Sequence, residues 1–160
     1  MEIRTAVPED LEAVTALEAA CFPPAEAASR ASIAVRLGSF PHTFWLLWQG
    51  KELLAMVGGM TAAQRDLTDE MYAGDTLYDP QGPWLMIFTV GSRPDQRGKG
   101  YPSQLMQEAI RTAREEGRAG LVLTCKEGLV AYYERFGFVN EGISSSEHGG
   151  AVWYQMRLVF

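Results

Sequence analysis

Residues 97–102 read Arg-Gly-Lys-Gly-Tyr-Pro, and this stretch decides how the rest of the chain is interpreted. It follows residues 84–90, an apolar run that predicts a central strand buried on both faces. It precedes residues 103–117, where apolar side chains recur at helical spacing up to a terminal glycine. A strand that enters a helix through a glycine-rich turn directs several backbone N–H groups at one point, at the positive end of the helix dipole. The stretch is therefore a candidate anion-binding turn, to which Arg97 and Lys99 add positive charge.

Other phosphate-binding loops fit this stretch less well. The chain contains no G-x-x-x-x-G-K-[ST], which excludes a P-loop nucleotidase on motif grounds. It also lacks G-x-G-x-x-G and the strand–helix alternation of a dinucleotide-binding fold. The alternative to an anion site is a tight, solvated turn between a strand and a helix.

The patterns on either side of the turn predict one α/β domain over residues 1–160, with the element order β-α-α-β-β-β-α-β-α-β-β. This order predicts a mixed, mostly antiparallel central sheet of about seven strands flanked by about four helices. Residues 65–83 are polar and predict a long excursion with one helical turn, and an excursion of this length is usually functional. Strands are predicted at residues 3–7, 44–48, 52–61, 84–90, 121–125, 138–143 and 152–159, and helices at 8–20, 25–37, 103–117 and 129–135.

Composition narrows the class of protein. The formal net charge of −6 makes nucleic acid an unfavourable partner and suits a cationic small substrate. No apolar run reaches the length of a membrane span, and the N-terminal residues lack the apolar stretch of a signal peptide. A cytoplasmic protein without membrane association is therefore expected. Cys21, Cys125, His42 and His148 show no metal-ligand spacing, so we expect no metal site.

The turn and a second segment downstream resemble the hallmarks of the GNAT acetyltransferases. Residues 97–102 resemble that family's [Q/R]-x-x-G-x-[G/A] motif, and residues 133–138, Tyr-Glu-Arg-Phe-Gly-Phe, resemble its Y-E/Q-x-x-G-F segment. The resemblance covers essentially the whole chain and implies a single GNAT-like domain that uses acetyl-CoA. In that family the turn amides hold the pyrophosphate of coenzyme A, and a splayed central strand holds the pantetheine arm. The implied cofactor-binding residues are Phe88, Thr89, Val90, Arg97, Gly98, Lys99, Gly100, Tyr101, Pro102 and Ser103.

Within the family, the chain resembles the arylalkylamine (serotonin-type) N-acetyltransferases and their bacterial relatives. Residues 36–41 and 123–138 look like segments of those enzymes, and residues 21–29 and 146–150 look like signatures of the bacterial relatives. The resemblance implies direct acetylation of a primary amine on a small molecule, either an arylalkylamine or a polyamine-like compound. A monomer and a homodimer are both compatible with it.

Two departures from the family pattern bear on chemistry. Pro102 stands where the family has glycine or alanine, and proline lacks the N–H that would donate to phosphate. Proline is nevertheless well suited to a first helical position. Residues 84–90 contain neither histidine nor carboxylate, so the His-x-His base of the animal enzymes cannot be transferred to this strand.

Acyl transfer from a thioester requires a neutral amine and a proton for the leaving thiolate. Tyr133 is the candidate general acid, by its match to the family tyrosine, and Tyr132 is its packing partner. His148 is a candidate base because histidine titrates near neutral pH, although a solvated loop histidine is the alternative. Asp75 and Asp79 are weaker candidates, and ordered water is a further route. Cys125 as a covalent nucleophile is disfavoured because the family transfers the acyl group directly.

The acceptor site is expected to combine aromatic walls with negative charge. Aromatic faces can bind an aryl group or a cation, and Glu26 can attract an ammonium group. Core packing is the alternative for each aromatic residue. The candidates are Phe22, Pro23, Glu26, Ser29, Phe40, Pro41 and Trp153.

Three functions stay open on the sequence. The first is acetylation of a small primary amine. The second is acetylation of a protein N-terminus or lysine. The third is a non-catalytic CoA-binding regulatory module, which Pro102 and the missing strand base keep open and the intact Tyr133 argues against.

Overall fold

The computed structural model describes residues 1–160 and contains seven strands and five α-helices. The strands are β1 (Glu2–Thr5), β2 (Phe44–Gln49), β3 (Glu52–Ala62), β4 (Trp84–Ser92), β5 (Gly120–Cys125), β6 (Val139–Ile143) and β7 (Tyr154–Val159). The helices are α1 (Leu11–Cys21), α2 (Arg30–Ser39), α3 (Asp69–Tyr72), α4 (Tyr101–Glu115) and α5 (Val130–Glu134). All strands belong to one sheet in the order β1-β2-β3-β4-β5-β7-β6, which confirms the predicted α/β fold with a mixed sheet. The fifth helix, α3, is the helical turn expected within the long excursion.

The predicted helices all begin at slightly different residues in the structure, and α2 and α4 show why. The alanine-rich segment from residue 25 predicted a helix, but α2 begins only at Arg30. Ser29 caps it, because the Ser29 hydroxyl accepts a hydrogen bond from the Ser32 N–H at 3.1 Å. Residues before the cap form a turn in which the Glu26 and Ala27 N–H groups both donate to the Pro23 carbonyl. Helix α4 begins at Tyr101, two residues earlier than predicted, with Pro102 in its first turn.

The chain divides into two compact units, and β3, β4 and α4 each contribute residues to both. The first unit comprises Met1–Gly59 and Thr89–Ala109. In it, β1 pairs antiparallel with β2, and β2 pairs antiparallel with β3. Strand β2 is buried over all but its last residue, and the core includes Phe40 and Phe44. Helix α1 buries Val14, Leu17 and Glu18.

The second unit comprises Met60–Phe88 and Ile110–Phe160. In it, β4 runs parallel to β5, β5 pairs antiparallel with β7, and β7 pairs antiparallel with β6. The long excursion is tied to this unit at both ends. At its first end the Arg157 guanidinium donates to the Arg65 carbonyl at 2.8 Å, and at its second end the Arg118 guanidinium donates to the Gly82 carbonyl at 2.6 Å. None of the helices has the length and apolar character needed to cross a bilayer.

Candidate active site

The glycine turn that follows β4 adopts a backbone that only glycine accepts readily. Gly98 has φ +80° and Gly100 has φ +76°, both in the left-handed region. A side chain at either position would meet no atom within 4 Å, so conformation and not crowding requires glycine here. The open space beside both residues leaves room for a ligand to approach the backbone.

The turn leads directly into the N-terminus of α4. The first bond of this helix is the one that the Gln104 N–H donates to the Gly100 carbonyl, at 3.2 Å. Amides before Gln104 have no acceptor within the helix, and Tyr101 supplies one of them. Pro102 lacks an N–H at a position where the helix does not need one. The absence of this N–H therefore leaves the hydrogen bonds of the helix intact but removes one donor that could bind an anion.

Two cations flank the turn. Arg97 and Lys99 are both exposed, and the Lys99 ammonium donates to Gln96 Oε1 at 3.0 Å. Backbone amides, a helix N-terminus and two cations together suit a phosphate or pyrophosphate group. The chemistry of the turn therefore suits the pyrophosphate of coenzyme A, the group that the family resemblance implies.

Helix α1 carries a buried carboxylate, Glu18, that is hydrogen-bonded to β4 and was not a predicted site residue. Glu18 is only 5% exposed, and its Oε1 accepts a hydrogen bond from Thr89 Oγ1 on β4 at 3.0 Å. Its Oε2 accepts from the Ala28 N–H, also at 3.0 Å. The available signal was a charged residue on the apolar face of α1, beside Val14 and Leu17.

The segment after α1 approaches the same strand. Cys21 Sγ donates to the Ser92 carbonyl at 3.2 Å. A side chain on Gly91 would lie 2.9 Å from Cys21 Sγ and 3.7 Å from the Phe22 ring, so glycine permits this approach. Burial and the neighbouring Glu18 raise the pKa of Cys21 to about 11, against the opposing effect of Arg97. Cys21 is therefore a neutral thiol at physiological pH.

The predicted acceptor residues of the first unit lie in different parts of the structure. Phe22, Pro23 and Glu26 share the segment between α1 and α2, where Phe22 and Glu26 are half-buried. Ser29 ends that segment as the cap of α2. Phe40 is completely buried and stacks on Phe44 with ring centroids 6.2 Å apart, so it belongs to the core. Pro41 begins a short 3-10 turn, residues Pro41–Thr43, that leads into β2.

Tyr133 lies near the end of α5 in the second unit and is 5% exposed. Its ring makes edge contacts with Tyr132, at a centroid distance of 5.0 Å, and with Phe138, at 5.9 Å. Burial raises the pKa of Tyr133 far above its ordinary value, and Tyr132 and Cys125 add to the rise. The phenol is therefore protonated at neutral pH, and no hydrogen bond within the chain engages it.

Burial also determines the state of Cys125, which closes β5. It raises the pKa of the Cys125 thiol to about 11. A thiol with this pKa is a poor nucleophile near pH 7, because the thiolate is the reactive form.

Aromatic rings from three segments form a cluster in the second unit, which we call the aromatic cluster: Tyr72, Phe88, His148 and Trp153. The Tyr72 ring lies 4.9 Å from Phe88 and 5.0 Å from His148, and His148 lies 6.1 Å from Trp153. All four side chains are half-buried. Phe88, His148 and Trp153 were predicted site residues, whereas Tyr72 was not, because its only signal is its place in the long excursion.

Hydrogen bonds hold the loop that carries His148. The Asp69 carboxylate at the start of α3 accepts from Ser146 Oγ at 2.5 Å and from the Glu147 N–H at 3.0 Å. Trp153 Nε1 donates to the His148 carbonyl at 2.7 Å. The excursion thus fixes this loop beside Tyr72. In contrast, Asp79 is engaged in a turn, where its Oδ1 accepts from the Gln81 N–H at 2.9 Å.

Comparison with known proteins decides the family. The family model described as "Acetyltransferase (GNAT) family" matches residues 11–138, most of the chain. The chain belongs to the GNAT acetyltransferase family. The family uses acetyl-CoA, as the sequence predicted.

Solved structures of several acyltransferase-like proteins are similar to this one. The GphF GNAT-like decarboxylase in complex with isobutyryl-CoA is 22% identical, with 99% of each chain covered and a TM-score of 0.84. The ribosomal-protein-S18-alanine N-acetyltransferase from Escherichia coli is 18% identical, with 99% of this chain and 92% of that chain covered and a TM-score of 0.73. A GNAT family acetyltransferase from Brucella melitensis in complex with acetyl-CoA is also 18% identical, with 99% and 87% covered and a TM-score of 0.63. At these identities the likeness shows the fold alone.

Proposed function

We propose that this GNAT protein transfers the acetyl group of acetyl-CoA directly to a primary amine of a small molecule, an arylalkylamine or a polyamine-like compound. The observation that carries the proposal is Tyr133, whose buried ring packs edge-on against Tyr132 and Phe138 and whose raised pKa keeps the phenol protonated near neutral pH. Its hydroxyl oxygen forms no hydrogen bond within the chain and keeps some exposure to solvent, which leaves it accessible to a ligand. We propose that it donates its proton to the sulfur that leaves the acyl group.

The residues of the glycine turn would bind the pyrophosphate of the donor. Their role follows from the φ values of Gly98 and Gly100, the N-terminus of α4 and the charges of Arg97 and Lys99. The backbone of Phe88, Thr89 and Val90 would hold the pantetheine arm, as the family resemblance implies. Solved neighbours of this fold in complex with isobutyryl-CoA and acetyl-CoA support a CoA thioester as the donor.

The thioester supplies an activated acetyl group, and side chains of the protein accept and donate the protons that the reaction requires. The acceptor ammonium first loses a proton, to His148 or to water, because only the neutral amine attacks. Formation of the C–N bond breaks the C–S bond, and the electron pair of that bond stays on sulfur. Tyr133 then donates its phenolic proton to the sulfur and regains one from solvent, while the nitrogen releases its second proton. The products are an acetamide and the free thiol of coenzyme A.

The aromatic cluster supports an aryl-bearing acceptor. Its half-buried rings would pack against an aryl group, and Lys126 lies over the Trp153 ring at 5.8 Å. The formal net charge of −6 favours a cationic acceptor over an anionic one. In the first unit, the predicted carboxylate for an ammonium group is Glu26, which is half-buried between α1 and α2.

Two measurements test the proposal. Calorimetric titration with acetyl-CoA should show binding, and its absence up to millimolar ligand would refute both the small-amine and the protein-acetylation functions. Thiol release should then be followed over a panel of arylalkylamines, polyamines, free lysine and peptides. Turnover of small amines without turnover of peptides supports the proposal. Turnover of peptides alone would show a protein acetyltransferase, and binding without any turnover would favour a regulatory module.

A further inference from the structure

Glu18 places a carboxylate on the buried face of α1, where an apolar residue is expected. Its neighbours on that face, Val14 and Leu17, are buried and apolar. A leucine at position 18 would continue the apolar stripe, and burying a carboxylate costs free energy unless hydrogen bonds compensate for lost water. Positions that break a local sequence rule are often functional.

Both oxygens of this carboxylate are engaged by neutral donors. Thr89 Oγ1 on β4 donates to Oε1, and the Ala28 N–H donates to Oε2, each at 3.0 Å. No lysine or arginine forms an ion pair with Glu18. Glu18 raises the pKa of the Cys21 thiol, which is neutral, while Arg97 opposes that rise. Glu18 is therefore a bridge between two backbone segments and not one half of a salt bridge.

The two segments that Glu18 joins are the ones to which the donor and the acceptor are assigned. Thr89 belongs to the part of β4 assigned to pantetheine, and Ala28 closes residues 22–29, the segment assigned to the amine. Further contacts lie where this segment begins: the bond from Cys21 Sγ to the Ser92 carbonyl and the close approach that Gly91 permits. Cys21 holds the beginning of the segment, and Glu18 holds its end.

We propose that Glu18 is a positioning residue that sets the acceptor segment, residues 22–29, against the donor strand β4 through Thr89 and the Ala28 amide. This inference rests on the proposed function, since it assigns a role in amine binding. Glu18 acts through these two partners and does not itself exchange a proton with the amine. Misplacement of reacting groups by about 1 Å can cost roughly a hundredfold in rate.

Glutamine separates positioning from proton transfer. In Glu18→Gln the amide oxygen can still accept from the Ala28 N–H, and the amide N–H can donate to Thr89 Oγ1. The bridge then survives without a charge that could take a proton. In Glu18→Ala both partners lose their acceptor. Thr89→Val breaks one arm with little change in shape, and Thr89→Ser restores the hydroxyl.

The kinetic test uses the full-length enzyme with its best amine from the panel. Glu18→Ala should raise the KM for the amine by roughly tenfold or more, while the KM for acetyl-CoA changes less than twofold. Thr89→Val should also raise the KM for the amine, and Thr89→Ser, which returns the hydroxyl, should lower it relative to Thr89→Val. Glu18→Gln should stay within about threefold of wild type. Glu12→Ala is the matched control, since Glu12 is an exposed carboxylate on the same helix that pairs with Arg30 at the surface. Equal loss in Glu18→Gln and Glu18→Ala would overturn the positioning role in favour of proton transfer.

A second readout needs no turnover. Amide hydrogen exchange of residues 22–29 should accelerate in Glu18→Ala and remain near wild type in Glu18→Gln, because only alanine releases the Ala28 N–H. Unchanged exchange in Glu18→Ala, with unchanged amine KM, would overturn the inference. If wild type acetylates no amine, the proposed function fails while the exchange result still shows whether Glu18 holds this segment.

Discussion

Tyr72 and His148 lie ring against ring, with centroids 5.0 Å apart and ring planes inclined by only 11°. One residue comes from the polar excursion and the other from the glycine-rich loop near the C-terminus. The hydrogen bonds from Ser146 and Glu147 to Asp69 hold the two segments together. The pair thereby gives the second unit a defined aromatic surface instead of two independent loops.

This stacking predicts a substrate-dependent defect in Tyr72→Ala. Loss of the ring should raise the KM for an arylalkylamine by about fivefold to tenfold, as expected from the ~1 kcal/mol of a ring–ring contact. The KM for an unbranched alkylamine should change much less. Tyr72→Phe is the control, since it keeps the ring and removes the hydroxyl, which lies 3.4 Å from Thr124 Oγ1. Equal losses on both amines would argue against aryl recognition by the aromatic cluster.

Tyr133→Phe tests the proposed general acid. The ring and its contacts with Tyr132 and Phe138 remain, and only the hydroxyl is removed. Because general acids contribute about a hundredfold or more, kcat should fall by at least that factor. The dissociation constant for acetyl-CoA, measured by calorimetry, should stay the same. Unchanged turnover would remove Tyr133 from the chemistry, and Tyr132→Phe serves as the neighbouring control.

Gly98→Ala tests the glycine turn. At φ +80° an alanine side chain strains the backbone by about 1 kcal/mol, although no neighbouring atom obstructs it. We expect a weaker affinity for acetyl-CoA and a lower melting temperature. Gly38→Ala is the matched control, because Gly38 lies within α2 with equally open surroundings and no positive φ. That variant should be neutral or more stable by up to ~1 kcal/mol. Identical behaviour of the two variants would show that the turn does not depend on its left-handed glycines.

Asp10 predicts a pH dependence of stability in the first unit. The Arg4 guanidinium donates to both Asp10 oxygens, at 2.8 and 2.9 Å, and the Val7 N–H donates a third bond at 2.9 Å. The hydrogen bond from Arg4 lowers the pKa of Asp10 below its ordinary value, against the opposing effect of burial. A lowered folded-state pKa means that the interaction stabilises the protein above the unfolded pKa. This contribution is lost as the pH falls through the folded pKa.

The variant Asp10→Asn should therefore lose about 1 kcal/mol of unfolding free energy near pH 7, a modest figure because Arg4 is partly solvated. Its deficit relative to wild type should shrink below about pH 4, where Asp10 in the wild type takes up a proton. Denaturant unfolding at several pH values measures the difference. Glu12→Gln, which removes an exposed ion pair with Arg30, should show almost no deficit at any pH. A deficit of Asp10→Asn that is independent of pH would contradict the ionic origin of the effect.

Much of the fold could be predicted because its strands and helices follow from the pattern of apolar residues within short stretches of sequence. The apolar run of β4 and the helical spacing of α4 depend on residues that are neighbours in sequence. Element ends were less predictable, as α2 shows. Its alanine-rich beginning favours helix by composition, yet the Ser29 cap and the turn at Pro23 delay the helix to Arg30. A specific hydrogen bond here outweighs a weak propensity.

Some features of the candidate site likewise follow from local sequence, whereas others depend on contacts between distant segments. The glycine turn could be predicted from sequence, since φ preferences and a helix N-terminus are local properties of Gly98, Gly100 and Pro102. The family could be predicted as well, through that turn and the segment around Tyr133. The partners of Glu18, the burial of the Tyr133 ring and the stacking of Tyr72 on His148 could not be predicted and required the folded structure. These depend on contacts between segments far apart in the chain, which hydrophobic burial and long-range hydrogen bonds bring together and no local pattern encodes.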